Sequence, residues 1–259
     1  MGQEVRNIMI NFKIGLQLYS IRQMAEKDLF ETLKRVKALG YDGVELAGLY
    51  GHEAKQVKEW MDRVGLECIS AHVPWRDLVE KTDETLDMYQ SLGCSYVAVP
   101  SVEEELRTSK GMKKLAEYLV PVADACKKRG IGLLYHNHDF EYEKGEDQIS
   151  LLDGFLEQNP ENLGAELDLG WVLAAGENPQ EEIKKYHGRV PLLHMKDVKE
   201  KNPVYFCPVG RGLLPVRALM REAYGAGTKW LIVEQDNEDL TTWNDVEYSV
   251  VFLKGQRFE

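Results

Sequence analysis

Short apolar runs that suit β-strands alternate with amphipathic segments from one end of the chain to the other. In Asp28–Leu39, for example, Leu29, Leu33 and Val36 fall on one stripe of a helix, with charged residues outside it. The apolar runs recur at intervals of roughly 25 to 40 residues, the length of a strand–loop–helix–loop unit. Eight are predicted to be strands, and they begin near Gly15, Gly43, Glu67, Tyr96, Gly132, Gly164, Val190 and Trp230.

This alternation predicts a closed parallel barrel of the (β/α)8 type, the TIM barrel, within the α/β class. Several predicted helices end in a glycine that suits a left-handed helix stop, at Gly40, Gly65, Gly93 and Gly130. The alternative is an open doubly wound sheet, which would normally carry a glycine-rich turn after its first strand, where this chain reads LYSIRQM. No linker interrupts the pattern, so residues 1–259 are expected to form one domain.

Polar residues stand where predicted strands end. Four of the six histidines do so, namely His72, His136, His138 and His194, as do the acidic residues Glu45, Asp168 and Glu234. Because the carboxyl ends of parallel barrel strands share one face, these side chains are expected to converge there. The pattern predicts a catalytic centre on that face.

Three of these residues form a candidate set of metal ligands. Asp168, His194 and Glu234 end predicted strands six, seven and eight, which are neighbours in a barrel. One imidazole and two carboxylates suit Mn²⁺, Co²⁺, Zn²⁺ or, less well, Mg²⁺. The alternative gives each residue a separate structural task, such as capping a turn for Asp168 or pairing with a lysine for Glu234.

Composition narrows the classes of function. A formal net charge of −11 opposes the basic stripe expected of a nucleic-acid-binding protein. The four cysteines are widely spaced without a CxxC pair, which suits reduced thiols and predicts a cytoplasmic location. No apolar run approaches the ~18 residues of a membrane span, and no secretory leader precedes the first strand. A small-molecule substrate is expected, no membrane partner is, and a homo-oligomer is left open.

An ordered set of segments resembles the xylose isomerase-like barrel superfamily, and its sugar phosphate isomerase/epimerase branch in particular. The segments are GYDGVEL, SAH, YHNHDFE, ELDLGW, LLHMKD, VGRG and IVEQD, and the likeness runs from Gly15 to about Leu253. The resemblance implies a sugar, sugar phosphate or polyol substrate and one divalent metal held by Glu, Asp, His and Glu on strands five to eight. Asp168, His194 and Glu234 match the last three positions.

Strand five departs from the pattern of this superfamily. Where many relatives read L-E-N-H, this chain has His136, so a histidine takes the place of the glutamate. A shift of one residue would instead put Tyr135 there, which leaves two alternatives for the fourth ligand. A neutral imidazole is itself a common metal ligand.

The resemblance also implies a mechanism, in which a proton moves through an enediolate. Glu234 is the first choice for the group that carries the proton, with His138, His136 or Glu141 on the opposite side. The YHNH segment also resembles the corresponding strand of the inositol-catabolic dehydratase in this superfamily. A lyase or dehydratase acting on a keto-sugar or keto-inositol is therefore the alternative, with a non-catalytic sugar-binding barrel as a further one.

Five residues are candidates for substrate binding, each with a structural alternative: Glu45, His72, Lys196, Arg211 and Trp171. Arg211 lies in a VGRG loop that resembles the VGxG loop of the superfamily, where an arginine suits a carboxylate or phosphate. Trp171 stands where some relatives carry a histidine, which opposes a multi-zinc site of the endonuclease IV type. Asp197 is expected to orient its loop.

Overall fold

The computed structural model describes residues 12–145, 147–236 and 242–256. Eight parallel strands close into a barrel in the order β1-β10-β7-β6-β5-β4-β3-β2, which confirms the predicted fold. The predicted domain bounds, residues 1 and 259, lie outside the described residues. The strands are β1 Lys13–Gln17, β2 Gly43–Leu46, β3 Glu67–His72, β4 Tyr96–Val99, β5 Gly132–His136, β6 Leu163–Asp168, β7 Leu192–Met195, β8 Asp197–Lys201, β9 Val204–Cys207 and β10 Trp230–Val233.

Helices surround the barrel and bury its outer face. They are α1 Arg22–Lys27, α2 Leu29–Ala38, α3 Ala54–Val64, α4 Trp75–Glu80, α5 Thr82–Leu92, α6 Ser109–Lys128, α7 Leu151–Leu156, α8 Leu169–Ala174, α9 Pro179–Lys185, α10 Val216–Ala226 and α11 Thr242–Lys254. Gly65 and Gly93 end α3 and α5 with φ of 78° and 89°, a left-handed conformation that glycine adopts without strain. Within the described ranges, no helix is long and apolar enough to cross a membrane.

The period of two along a strand sorts the barrel interior into an apolar and a polar layer. Leu134, Leu192 and Ile232 belong to a buried apolar cluster inside the barrel. Two residues further along the same strands stand His136, His194 and Glu234, on the same face and closer to the carboxyl end. The barrel interior is therefore apolar toward the amino ends of the strands. Toward their carboxyl ends it is polar, and these polar side chains form the floor of the site.

An antiparallel hairpin of β8 and β9 follows β7 and is not part of the predicted pattern. Asp197, at its base, is fully buried and holds the following loop together. Its carboxylate accepts hydrogen bonds of 2.9 to 3.0 Å from the backbone N–H groups of Val198, Gly210, Gly212 and Leu214. The residue orients its loop, as the sequence predicts.

Replacing Asp197 by alanine should lower the free energy of unfolding by about 3 kcal/mol, because four backbone donors lose their acceptor. Urea denaturation followed by circular dichroism measures the change. Glu200→Ala, an exposed position on the same strand, is the control and should stay within about 0.5 kcal/mol of the parent. Equal stability of the two variants would show that the loop does not depend on the buried carboxylate.

Candidate active site

Four side chains from successive strands meet at the carboxyl end of the barrel: His136, Asp168, His194 and Glu234. Each is buried and offers one ligand atom, and these atoms all lie within 4.8 Å of one another. His194 Nδ1 is 2.8 Å from Glu234 Oε2, and His136 Nε2 is 3.9 Å from Asp168 Oδ2. The register of the barrel places Asp168 directly beside His194. Two imidazoles and two carboxylates thus lie together in a small volume. We name these four residues the upper donor set.

His136, and not Tyr135, faces the barrel interior on β5. The Tyr135 ring packs outward against Phe155, with 4.8 Å between the ring centroids, and its hydroxyl donates to Glu141. Alternation along the strand then turns His136 inward. Of the two residues that the sequence offers for strand five, only His136 lies in the cluster.

The residues of the upper donor set fit one divalent cation. Asp168 Oδ1 is committed to the start of α8, where it accepts from the backbone N–H groups of Gly170 and Trp171. Its Oδ2 is thereby turned toward the other donors. The two imidazoles and two carboxylates of this set offer a mixture of nitrogen and oxygen ligand atoms that suits Zn²⁺, Co²⁺ or Mn²⁺.

Lys196 lies buried beside this set. Its Nζ is 2.9 Å from Asp168 Oδ2, 3.0 Å from Glu234 Oε2 and 3.0 Å from Asp236 Oδ1. Burial lowers the pKa of Lys196, but the three carboxylates outweigh it and raise the pKa above its ordinary value. The ammonium donates a hydrogen bond to Asp236 Oδ1 and forms ion pairs with Asp168 and Glu234. Lys196 thus holds these carboxylates in place, and its contact with substrate stays a prediction.

Glu45 lies beneath the upper donor set and is fully buried. Its oxygens accept from Gln17 Nε2 at 2.8 Å and Ser70 Oγ at 2.9 Å, and Oε1 is 3.1 Å from His194 Nε2. These partners place Glu45 as a support for His194. The contact with substrate that the sequence predicts for Glu45 stays a prediction.

His72 borders both the buried layer and the open cavity. Its Nε2 is 3.0 Å from Glu45 Oε1 and 2.8 Å from Glu166 Oε2. Burial lowers the pKa of His72, but the charge on Glu45 and the hydrogen bond to Glu166 outweigh it and raise the pKa to about 10. His72 is therefore a cation that lines the cavity.

Glu166 is a functional candidate that the sequence reasoning missed. This carboxylate on β6 is fully buried, and its Oε2 faces His72, His136 Nδ1 and His194 Nε2 at 2.8, 3.4 and 3.4 Å. The sequence segment ELD, residues 166–168, indicates this position. Glu166 precedes Asp168 by two residues and therefore lies on the same face of the strand.

An open cavity of about 730 Å³ lies over this floor. His136 and Glu234 reach it from the upper donor set, and the residues that share its wall include Tyr19, His72, Asp77, His138 and Asp236. Burial, together with the neighbouring His136 and Lys196, lowers the pKa of His138 to about 2. As a neutral imidazole, His138 can exchange hydrogen bonds with a hydroxyl group in the cavity.

Three further residues that the sequence singles out have partners within the protein. Glu141 is fully buried, and its two oxygens accept from the Tyr135 hydroxyl and the His138 backbone N–H, so it positions His138 and does not face the cavity. Arg211 stacks on Tyr248, with 4.0 Å from Cζ to the ring centroid. Trp171 packs edge-on against Phe206 of the hairpin, 4.9 Å between centroids, and its ring is 5.5 Å from Lys196 Nζ. The Trp171 ring also lies 5.5 Å from that of His138, which lines the cavity. The substrate contacts of Arg211 and Trp171 stay predictions.

Comparison with known families agrees with this architecture. The family model of the xylose isomerase-like TIM barrel matches residues 33–254. The chain belongs to this family. The resemblance read from the ordered sequence segments is thereby confirmed.

Individual members of the family carry two kinds of name. The chain is similar to an inosose dehydratase of Clostridium perfringens, 25% identical over 201 residues that cover 69% of this chain and 67% of the relative. An inosose dehydratase of Lacticaseibacillus casei is 20% identical over 286 residues, covering 95% and 93%. A crystal structure of a sugar phosphate isomerase/epimerase from Parabacteroides distasonis matches with a TM-score of 0.81 at 25% identity, covering 95% and 94%.

Proposed function

We propose that this protein is a divalent-metal-dependent isomerase or epimerase of a sugar, sugar phosphate or polyol, acting through an enediolate at the carboxyl face of the barrel. One observation carries the proposal: the upper donor set converges on the floor of a cavity large enough for a monosaccharide. His136, Asp168, His194 and Glu234 would hold the cation. The bound ion would polarise a substrate carbonyl and an adjacent hydroxyl, which lowers the barrier to removing the proton between them.

Glu234 is assigned the proton transfer. It is the carboxylate of the upper donor set that reaches the cavity, where a substrate would bind. Burial raises the pKa of Glu234, but above all the charge on Lys196 outweighs it and holds the pKa below its ordinary value, so the group is a carboxylate. A carboxylate has the free lone pair that proton abstraction requires. His138 would hold a substrate hydroxyl as a neutral hydrogen-bonding partner, and its part in proton transfer stays a prediction.

Dehydration of a keto-sugar or keto-inositol is the second candidate. It begins with the same abstraction of a proton next to a carbonyl. A carbon–carbon double bond then forms as the neighbouring C–O bond breaks, and the hydroxyl group takes up a proton and leaves as water. The observation in its favour is His136, which stands where an isomerase with two flanking glutamates would carry the second carboxylate. Glu234 is then the one carboxylate of the upper donor set that lines the cavity. Proton removal and loss of the hydroxyl group would therefore both occur on one face of the substrate. The names of the curated relatives point the same way.

Proton NMR in D₂O tests the proposal. The protein, loaded with Mn²⁺, Co²⁺ or Zn²⁺ and freed of excess metal, is incubated with a panel of ketoses, their phosphates and inososes. Exchange of a C–H next to the carbonyl is expected, with the carbon skeleton and hydroxyls retained. Loss of water would select the dehydratase, and no exchange on any member would refute both candidates.

Removal of the metal should lower the exchange rate by at least about 100-fold, because the developing negative charge on oxygen loses its counterion. Dialysis against a chelator followed by return of Zn²⁺ or Co²⁺ should restore it. Circular dichroism before and after dialysis controls for unfolding. An unchanged rate in protein shown to be metal-free would contradict a metal-dependent mechanism.

A further inference from the structure

Two groups of potential ligands overlap in the barrel and share His136 and His194. The upper donor set adds Asp168 and Glu234, whereas a lower donor set adds His72 and Glu166. The shared imidazoles turn different nitrogens to the two sets. His136 presents Nε2 to Asp168 and Nδ1 to Glu166, and His194 presents Nδ1 to Glu234 and Nε2 to Glu166.

The chemistry of imidazole makes the two sets mutually exclusive as cation sites. A neutral imidazole has one nitrogen with a free lone pair and one that carries a proton. A cation in one set therefore takes the lone pairs of His136 and His194, and the protons on the opposite nitrogens point to the other set. Filling both sets would require two imidazolate anions.

Charge and access select the upper donor set for the cation. It contains two carboxylates, and Glu234 opens to the cavity. The lower donor set contains one carboxylate, and its Oε2 already lies 2.8 Å from His72 Nε2. The nitrogens that face Glu166 are thus the ones that carry protons.

We propose that Glu166 is a positioning residue that fixes the tautomer of His136 and, together with Glu45, that of His194. The inference rests on the metal site of the proposed function. His136 Nδ1 is buried and forms no hydrogen bond with any described group, and the carboxylate oxygen that faces it is Glu166 Oε2, at 3.4 Å. At His194 Nε2, Glu45 Oε1 and Glu166 Oε2 lie at 3.1 and 3.4 Å. A carboxylate behind a ligating histidine is a common way to orient the ring and raise its affinity for metal.

Glu166 offers one carboxylate oxygen to three imidazoles. Its Oε2 lies 2.8 Å from His72 Nε2 and 3.4 Å from both His136 Nδ1 and His194 Nε2. An anion at this position repels the lone pair of a facing nitrogen and favours an N–H there. The lone pairs of His136 and His194 are thereby directed upward, to Asp168 and Glu234.

The first test reads the tautomers directly. Protein with ¹⁵N-labelled histidine is loaded with Zn²⁺ and its long-range ¹H–¹⁵N spectrum is recorded, with signals assigned through His136→Gln and His194→Gln. The wild-type protein should carry its proton on Nδ1 of His136 and on Nε2 of His194. The reverse tautomers in zinc-loaded protein would place the cation in the lower donor set and overturn the inference.

The second test measures affinity in Glu166→Gln. Competition with a chromophoric chelator should show one equivalent of Zn²⁺ bound about 10- to 100-fold more weakly than in the wild type. Glu182→Gln is the matched control, since Glu182 is also a buried carboxylate with one oxygen lacking a hydrogen bond, but it lies on α9. It should leave zinc affinity unchanged.

The outcomes separate the inference from the proposed function. Unchanged zinc affinity in Glu166→Gln, or loss of zinc there while Asp168→Asn retains it, overturns the inference alone. Correct tautomers and weakened affinity without proton exchange on any substrate refute the proposed function alone. Wild-type protein that takes up no zinc would refute both.

Discussion

Asp168→Asn should abolish binding of the divalent cation and leave the barrel folded. The asparagine oxygen can still accept from the backbone N–H groups of Gly170 and Trp171, so the start of α8 is preserved. In place of Oδ2 it presents an amide NH₂, which is no metal ligand and faces the Lys196 ammonium. Metal analysis after loading and desalting should give about one equivalent for the wild type and less than about a tenth for the variant.

His194→Ala should have the same effect on metal content, because it removes a ligand from the middle of the upper donor set. The control is Asp28→Asn, since Asp28 also caps a helix through its side chain and is remote from the site. Circular dichroism and thermal unfolding confirm the fold of each variant. Wild-type stoichiometry in both Asp168→Asn and His194→Ala would show that other residues bind the cation.

Glu234→Gln is expected to lower turnover by about 10³-fold, within the range for removal of a positioned acid or base. Glutamine has nearly the shape of glutamate and can still contact the cation through its oxygen, but it cannot accept the substrate proton. Initial rates are measured at saturating metal and substrate so that weaker binding does not enter the comparison. The change should therefore appear in kcat rather than in KM.

The Glu182→Gln variant serves again as a control and should retain the wild-type rate. Metal content measured on the same Glu234→Gln sample separates loss of the cation from loss of proton transfer. A rate within a factor of about three of the wild type, with metal present, would remove Glu234 from the acid–base role.

The barrel and the face that carries the site were predictable because both depend on local periodicity. Residues two apart on a strand share one face, as Leu134 and His136 do, or Leu192 and His194. The change from an apolar to a polar residue on that face therefore shows where along the strand the polar layer begins. The glycine helix stops and strand spacing supplied the connectivity. The choice between Tyr135 and His136, in contrast, depends on the register of one residue, which only the packing of Tyr135 against Phe155 decides.

What the sequence could not show is the depth of each side chain and its partner. Glu45 and Lys196 stand at strand ends like the ligands, but Glu45 is surrounded by Gln17, Ser70 and the histidines, and Lys196 by three carboxylates. Arg211 meets Tyr248, 37 residues later along the chain, through tertiary packing that no local pattern encodes. The hairpin β8–β9 was missed because its buried residues lie together at its base and its exposed residues at its tip. Buried and exposed positions therefore do not alternate along either strand.

Crystals of zinc-loaded protein, measured on both sides of the zinc absorption edge, test the central claim most directly. We expect one anomalous peak about 2.0 to 2.2 Å from Nε2 of His136, Oδ2 of Asp168, Nδ1 of His194 and a carboxylate oxygen of Glu234. A peak bound instead by His72 and Glu166, or the absence of any peak within reach of Asp168 and Glu234, would contradict the account.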